Sequence, residues 1–447
     1  MISLKTCIGA ILVGSLGANL AIAQTFQLER MRGFNSGENI KVAGQDKDLS
    51  DAKAFGANVY RLLYYDIGRP FWTKWPAFLD SVDRQVGVAQ AAGLKVVVCI
   101  NFSPFDDVLD NRDHPFWIDS RLTATYTRIW TEIATRLKKY NASIYAYDLM
   151  NEPFDKSISS AYPSQWRPLA EKIVEAIRKV DQDVWILYET GPGSRVMGAK
   201  DLVPIPDQKI IYGAHWYQLH NFTHKGVPGE PVGVSTYPSA GWDRNAMMAE
   251  MKVLRDFQLR YDVPIFMGEF SVSIGEPGGL SAAPVADAGR WYDDVIATFE
   301  EYKWSWAYHA WREYIAWNIE KADSSLTRRI KNAMSLNQLH TMDTFNPNPN
   351  AGPVGTLEGR DTGPRYAARG ADIILAQGIP IGSGAKAEIC RVTGERIAEV
   401  SRNAEGRLAW NLSDGAGRAL PPGMYWYRIS GNPIKVGNQR GNWVIIR

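Results

Sequence analysis

Between about residue 30 and residue 340, short apolar runs alternate eight times with longer amphipathic ones. No other feature of the chain constrains its fold as strongly. The candidate strands are Met31–Asn35, Asn58–Leu63, Leu94–Asn101, Ile144–Asn151, Val184–Glu189, Lys209–Trp216, Pro264–Glu269 and Trp304–Ala310. Each is short and rich in β-branched or aromatic residues, a composition that suits a pleated, buried strand. The helical stretches between them are Phe78–Ala92, which runs into Gly93, then Ser120–Tyr140, Trp166–Val180, Ala246–Tyr261 and Ala286–Tyr302. In the second of these, Leu122, Tyr126, Ile129, Trp130, Ile133 and Leu137 recur at helical spacing. Strand followed by helix, eight times over, predicts an α/β fold of the (β/α)8 TIM-barrel type. A doubly wound nucleotide-binding sheet fits less well. The first strand carries Arg32-Gly33-Phe34-Asn35-Ser36-Gly37, which lacks the G-x-G-x-x-G spacing, and there is no P-loop.

The chain continues past the barrel. Asn346-Pro347-Asn348-Pro349-Asn350-Ala351-Gly352-Pro353 has the texture of a linker. Beyond it, Lys386–Val392, Ile397–Ser401, Leu408–Leu412, Met424–Ile429 and Trp443–Ile446 read as short strands separated by turns, the pattern of a small β-sandwich. At the other end, Lys5, the apolar run Ile8 to Ala18 and the small-x-small triplet Ala21-Ile22-Ala23 form a secretory signal, with cleavage expected after Ala23. The expected division is a signal peptide over 1–23, a catalytic barrel over 24–342, a linker over 343–366 and an accessory β-sandwich over 367–447. Cys7 leaves with the signal. Cys99 and Cys390 fall in different proposed domains, each in an apolar stretch, so both are expected as buried free thiols.

Charge narrows the partners. Lys and Arg number 50 against 48 Asp and Glu, a net charge of +2. So balanced a chain has no general attraction for nucleic acid or anionic membrane. The 16 Trp include flat rings of the kind that stack on sugar faces. The expected protein is a secreted monomer, extracellular or periplasmic, acting on a weakly charged partner.

A TIM barrel presents its reactive residues at the C-terminal ends of its strands. Five clusters stand there: Arg61, Asn151-Glu152, His215-Trp216-Tyr217, Glu269, and Trp306 to Trp311. Glu152 follows the apolar strand Tyr147-Asp148-Leu149-Met150-Asn151 and precedes Pro153, so it is neither a helix-surface nor a strand-face charge. Glu269 sits among Ile265, Phe266, Met267 and Phe270, where a lone carboxylate is costly to bury. Each Glu alone would read as a loop cap or a structural ion pair. Together, at the ends of the fourth and seventh strands, they match what glycoside hydrolysis requires: one carboxyl to protonate the leaving oxygen and one carboxylate beside the anomeric carbon. Arg61 would favour an ionised Glu269 by proximity. Asn151 can donate to a sugar hydroxyl, Tyr217 can hydrogen-bond a carboxylate, and His215 can bind hydroxyls or help set the protonation of the pair.

Arg32-Gly33-Phe34-Asn35, Asn58-Val59-Tyr60-Arg61, Asn151-Glu152-Pro153, His215-Trp216-Tyr217 and Gly268-Glu269-Phe270 occur in the order found in glycoside hydrolase family five, the cellulase family of clan A, which the chain resembles from about residue 30 to 340. The resemblance implies retaining hydrolysis of β-linked glucans, mannans or related chains, with no metal or organic cofactor. It implies Glu152 as acid/base, Glu269 as nucleophile, and Arg61, Asn151, His215 and Tyr217 as their supporting shell. From the eighth strand it implies an aromatic floor under the sugar, with Trp311 favoured and Trp306 or His309 as alternatives. One departure stands out: Asn101 occupies the end of the third strand, where many members carry His. The C-terminal segments Ile389-Cys390-Arg391-Val392-Thr393-Gly394 and Pro422-Gly423-Met424-Tyr425-Trp426-Tyr427 resemble immunoglobulin-like sorting or hook-capping β domains of exported bacterial proteins.

The leading expectation is an endo-β-1,4-glucanase. A β-mannanase, an exo-acting β-glucosidase with one groove end blocked by the loop from Gln218 to Trp242, and a catalytically inactive carbohydrate-binding protein are the alternatives. A metal hydrolase fits poorly, because His215, His220 and His224 are loosely spaced along a Gly- and Pro-containing loop. Trp72, Trp75, Phe105, Trp117, Trp166 and Trp242 fall after proposed strands and are expected to line a groove, Trp72, Trp117 and Trp242 above all.

Overall fold

The barrel closes because its strands are buried on both faces. Val59–Tyr64, for example, is buried at all six positions, as suits a strand packed on helices outside and on its own barrel inside. The computed structural model describes residues 25–36, 45–227, 229–230, 236–275, 282–312 and 315–348, and parts of the chain between 365 and 446. The expected signal peptide and most of the expected linker lie outside the described residues.

A short strand, β1 (Phe26–Glu29), leads into the barrel. The barrel strands are β2 (Arg32–Ser36), β3 (Val59–Tyr64), β4 (Lys95–Ile100), β5 (Ile144–Asp148), β6 (Ile186–Glu189), β7 (Ile210–Trp216), β8 (Ile265–Phe270) and β9 (Ser305–Trp311). They are parallel and close in sequence order, β9 pairing with β2. Around them run α1 (Gln45–Phe55), α2 (Phe71–Ala91), α3 (His114–Ile118), α4 (Leu122–Leu137), α5 (Trp166–Val180), α6 (His220–Thr223), α7 (Arg244–Tyr261), α8 (Val285–Tyr302) and α9 (Ser324–Met334). This is the expected (β/α)8 barrel. Among the described residues, no helix is long and apolar enough to cross a membrane.

Local chemistry sets the helix ends. Asp243 caps α7 by accepting from the Ala246 N–H, and α7 stops at Asp262, whose left-handed φ of 50° unwinds the chain. Helix α2 begins at Phe71, seven residues before the expected Phe78, and carries Pro76 inside it. Proline costs the helix a hydrogen bond there, but packing outweighs it. Phe71 and Trp75 are buried and stack at 5.5 Å, and the Arg128 guanidinium lies 3.9 Å over the Trp72 ring.

Inside the barrel the strands alternate with period two. Val59, Val97, Ala146, Leu187, Ile211, Phe266 and Ala307 form an apolar layer of their own, with Leu28 of β1 and Phe345 of β10 (Met342–Phe345) packed beneath it. β1 and β10 pair antiparallel, and the Arg30 guanidinium locks on to Asp343 at 2.7 Å. Two residues further along the same strand faces come Arg61, Cys99, Asp148, Glu189 and His309. The barrel interior thus turns from apolar to charged within one layer, at its C-terminal end.

Beyond residue 364 the described regular elements are strands joined by turns. β11 (Arg365–Ala367), β13 (Lys386–Arg391), β14 (Arg396–Ser401), β16 (Gly423–Ser430) and β17 (Asn442–Ile446) form one sheet, and β12 (Ile373–Ala376) pairs with β15 (Leu408–Trp410). Ala387, Ile389, Leu408, Trp410, Tyr425 and Tyr427 share an apolar core.

Candidate active site

Everything reactive in the barrel gathers around one guanidinium. Arg61 is fully buried. Its Nε donates to Asp148 Oδ2 at 2.8 Å, and its Nη1 to Asn35 Oδ1 at 2.8 Å and Glu269 Oε1 at 3.0 Å. Its Nη2 donates to Asn151 Oδ1 at 2.8 Å and Glu189 Oε1 at 2.6 Å, with Cys99 Sγ at 3.1 Å. A buried cation is tolerable only when it is paired and its N–H groups are satisfied, and here five strands supply the partners.

Glu269 receives the Tyr217 hydroxyl on Oε2 at 2.9 Å. His215 Nδ1 lies 3.9 Å and His309 Nδ1 3.6 Å from the same oxygen. Burial pushes the Glu269 carboxyl up, but His215, His309 and Arg61 together hold it down at about 2. It is a carboxylate throughout the neutral range. Glu152 sits just after β5 with a left-handed φ of 48° and an exposed carboxyl edge. Its Oε1 lies 2.9 Å from His215 Nδ1. One carboxyl oxygen each of Glu152 and Glu269, together with a His215 nitrogen, fall within 4.8 Å of one another.

His215 is itself held from the other side, Nε2 lying 3.2 Å from Glu189 Oε1. Burial works against its positive charge, yet Glu189 and Glu269 raise its pKa well above the ordinary value. As an imidazolium it donates from both nitrogens. Glu189 and Asp148 are pushed in opposite directions. Burial and the Glu189 charge push Asp148 up, whereas His215 and Arg61 overcome burial at Glu189 and keep it ionised. Arg61 stands among Cys99, Asp148 and Glu189, which are close enough to share a metal ion, and supplies the positive charge there. His220 Nε2 pairs with Glu230 at 2.9 Å and stacks on His224 at 3.8 Å, well apart in role from His215.

The cleft above this cluster has a volume of about 1160 Å³. Glu152, Glu269, Asn101, Asn151, His215 and Tyr217 all line it, as the strand-end reasoning expects. Arg61 lies beneath. Asn101 is buried, and its Oδ1 accepts no hydrogen bond among the described residues. That oxygen has almost no accessible surface, so it is enclosed by its neighbours beneath the cleft wall.

Two expected residues are misplaced. Trp306 is fully buried against the helix layer, its Nε1 donating to Glu300 at 3.1 Å. Trp311 packs between Phe34 and Phe55, away from the cleft. The reason is a bulge. Between Tyr308, opposite Phe34, and Trp311, opposite Ser36, β9 spends one residue more than β2. One extra residue turns every later side chain to the other face, so Trp311 joins the helix-facing side of Trp306 and Tyr308, and His309 is left facing the cleft. The aromatic ring there is Trp317, six residues later, with Tyr217 at 6.0 Å and His309 at 5.9 Å. None of Trp72, Trp75, Phe105, Trp117, Trp166 and Trp242 lines the cleft. Trp117 donates to the Phe154 carbonyl, Trp166 stacks on Tyr188, and Trp242 stacks on Trp216 from behind.

These placements separate two substitutions. Trp317→Ala should raise KM for a soluble glucan about tenfold, as loss of a sugar-stacking ring does at about 1–2 kcal/mol, with little change in Tm. Trp311→Ala should leave KM alone and cost about 3–5 kcal/mol of stability by opening a core cavity. Steady-state kinetics and melting curves on both variants check this, and the reverse pattern would restore Trp311 as the sugar contact.

Glu189, like Trp317, was overlooked in the sequence reasoning. It ends a buried strand just as Glu269 does, and the same rule would have found it.

Comparison with known proteins places the barrel in a family. Residues 21–314 match the model of the cellulase family, glycosyl hydrolase family 5. The chain is 21% identical over 285 residues to Endoglucanase C of Acetivibrio thermocellus, covering 58% of this chain and 77% of that one. It is 22% identical over 232 residues to Cellodextrinase A of Ruminococcus flavefaciens, covering 50% and 64%. Among solved structures, a hyperthermophilic endo-β-1,4-glucanase in complex with substrate superposes with a TM-score of 0.56 at 21% identity, over 68% of this chain and 96% of that one. Thermotoga maritima Cel5A in complex with cellobiose does so with a TM-score of 0.55 at 20% identity, over 68% and 97%. At such identity the structural likeness is one of fold; the family match goes further, and the chain belongs to glycosyl hydrolase family 5, the cellulase family, as an endoglucanase-like glycosyl hydrolase.

Proposed function

We propose that the chain is a retaining, endo-acting β-1,4-glucanase with Glu269 as nucleophile and Glu152 as acid/base. The observation that carries this is the approach of the two carboxyl groups, an oxygen of each lying within 4.8 Å of the other. Retaining enzymes hold their pair about 5–5.5 Å apart, whereas inverting ones leave about 6.5–9.5 Å for a water. The environments also differ in the required sense: Glu269 is buried among cations, and Glu152 has an edge open to the cleft.

In the first step a Glu269 oxygen bonds to the anomeric carbon. The bond to the leaving sugar breaks, and the Glu152 proton goes to its oxygen. In the second step Glu152 takes a proton from water, the water oxygen bonds to the anomeric carbon, and Glu269 departs as a carboxylate. Tyr217 and Arg61 steady the carboxylate at the start and end of this cycle. Asn101 and Asn151 bind sugar hydroxyls, and Trp317 offers its face to a ring.

A cleft of about 1160 Å³ exceeds the roughly 300–1,000 Å³ of small-molecule pockets and suits several sugar units of a chain. The N-terminal signal pattern supports export, extracellular or periplasmic. The strands described in the C-terminal region support an accessory β-sandwich of the sorting type.

Proton NMR of a freshly digested cello-oligosaccharide tests the mechanism. The β-anomer should appear first; early α-anomer would overturn retention. Product analysis on carboxymethyl cellulose, mixed-linkage β-glucan, glucomannan, galactomannan and xyloglucan tests the substrate. Mixed oligosaccharides from the glucans are expected, and turnover of mannans alone would replace the glucanase reading with a mannanase one.

A further inference from the structure

We infer that Glu189 is a positioning residue, a third carboxylate that fixes Glu152 from two directions at once. The inference rests on Glu152 being the acid/base, and it goes further by naming what holds that residue in place.

Glu189 Oε2 accepts the backbone N–H of Glu152 itself, at 2.7 Å. The Ser194 hydroxyl donates to the same oxygen. Glu189 Oε1 accepts from Arg61 Nη2 at 2.6 Å and from His215 Nε2 at 3.2 Å. His215 in turn reaches Glu152 Oε1 at 2.9 Å through its other nitrogen. One carboxylate therefore grips the main chain of Glu152 directly and its side chain through one imidazole.

Both grips answer a physical need. A non-glycine residue in the left-handed region costs about 1 kcal/mol or more, and Glu152 is held there at φ 48°. The turn stays in place because its N–H has a buried ionic acceptor, stronger than a neutral one. On the other side, an imidazolium bonded at one nitrogen only is free to swing. With Glu189 on Nε2, the ring is held so that its Nδ1–H points to Glu152.

The barrel makes room for this arrangement. A Cβ on Gly213 would sit 2.6 Å from Leu187 and 3.1 Å from the Glu189 side chain. A Cβ on Gly268 would sit 2.7 Å from His215 Nε2. Glycines on two neighbouring strands thus leave the space in which Glu189 and His215 meet. Glu189 is itself fully buried and does not line the cleft, so it touches no substrate. Its effect must pass through Glu152.

The test uses two aryl β-cellobiosides on the full chain. A 2,4-dinitrophenyl group leaves without a proton, whereas a 4-methylumbelliferyl group needs one. Glu189→Gln should lower kcat for the methylumbelliferyl substrate by about 10- to 100-fold, part of the roughly 10²–10⁴ that a positioned general acid supplies. For the dinitrophenyl substrate the loss of kcat in the glycosylation-limited regime should stay under about fivefold, with KM little changed for either. A purely structural role would lower both substrates alike, and equal losses would overturn the inference. Ser194→Ala removes one donor to Glu189 and serves if the Gln variant does not fold. It should show the same selectivity at smaller size, and equal losses there count against the inference too. Glu152→Ala is run alongside with azide. If it shows the leaving-group selectivity and azide rescue while Glu189→Gln does not, this inference alone fails; if Glu152→Ala shows neither, the acid/base reading fails first.

Discussion

Replacing Glu269 by Gln should lower kcat on a soluble β-1,4-glucan by roughly 10⁴–10⁶, the scale on which a covalent hydrolase loses rate with its nucleophile, while oligosaccharide affinity stays close to wild type. The amide is nearly isosteric. Its oxygen can still accept from Arg61 Nη1, and the Tyr217 hydroxyl, which donates to the carboxylate in the native protein, can rotate to accept from the amide nitrogen. What is lost is the negative charge that lets a carboxylate oxygen attack the anomeric carbon and later depart again as a carboxylate. Reducing-sugar release and titration calorimetry with a cello-oligosaccharide on the same preparation separate the two effects. Turnover within about a hundredfold of wild type would remove Glu269 from the nucleophile's role. Since the Glu269 carboxyl is held at about 2, the native enzyme should keep its nucleophile ionised down to about pH 3. An acid limb of activity above that would belong to another group or to unfolding.

The barrel and the cleft were legible from residues whose position and chemistry coincide. Glu152 and Glu269 stand at strand ends where neither a helix surface nor a strand face explains a carboxylate. A TIM barrel turns that position into its mouth, and the structure brings both there with His215, Tyr217, Asn101 and Asn151. What failed to read correctly depended on register. Trp311 follows His309 by two residues, and an unbroken strand would put both into the cleft. The extra residue in β9 that separates them has no composition signal of its own in Trp306-Ala307-Tyr308-His309-Ala310-Trp311. The start of α2 was hidden differently, by Pro76, which argues for a break that the packing of Phe71 and Trp75 overrides. Asp148 and Cys99 were hidden in plain view. Each lies two residues past an interior apolar position, Ala146 and Val97, but only a known barrel face shows that this step leads to Arg61.

That face explains why a single change at Arg61 should cost heavily in stability. Arg61→Met keeps much of the side-chain volume and removes the charge. Glu189 and Glu269 would then share the interior with His215 as their main counter-charge, and Asn151, Asn35 and Asp148 would each lose a donor. Breaking a buried ion pair by deleting one partner typically costs about 3–5 kcal/mol, because the other charge remains. A loss of that size is expected at pH 7. The sign of its pH dependence follows from the carboxylates. In the native protein Glu189 and Glu269 are depressed below their unfolded values, so their contribution is present above about pH 4.5 and fades as pH falls towards 2. Without the guanidinium, burial is no longer offset to the same degree and pushes both carboxyls upward, so the variant gains stability by taking up protons as pH falls from 7. The gap in Tm between the two proteins should therefore be widest near pH 7 and narrow by pH 4. Melting curves across that range measure it directly. A gap independent of pH would mean that Arg61 supplies shape and hydrogen bonds to the barrel interior, with the charge of its neighbours balanced elsewhere.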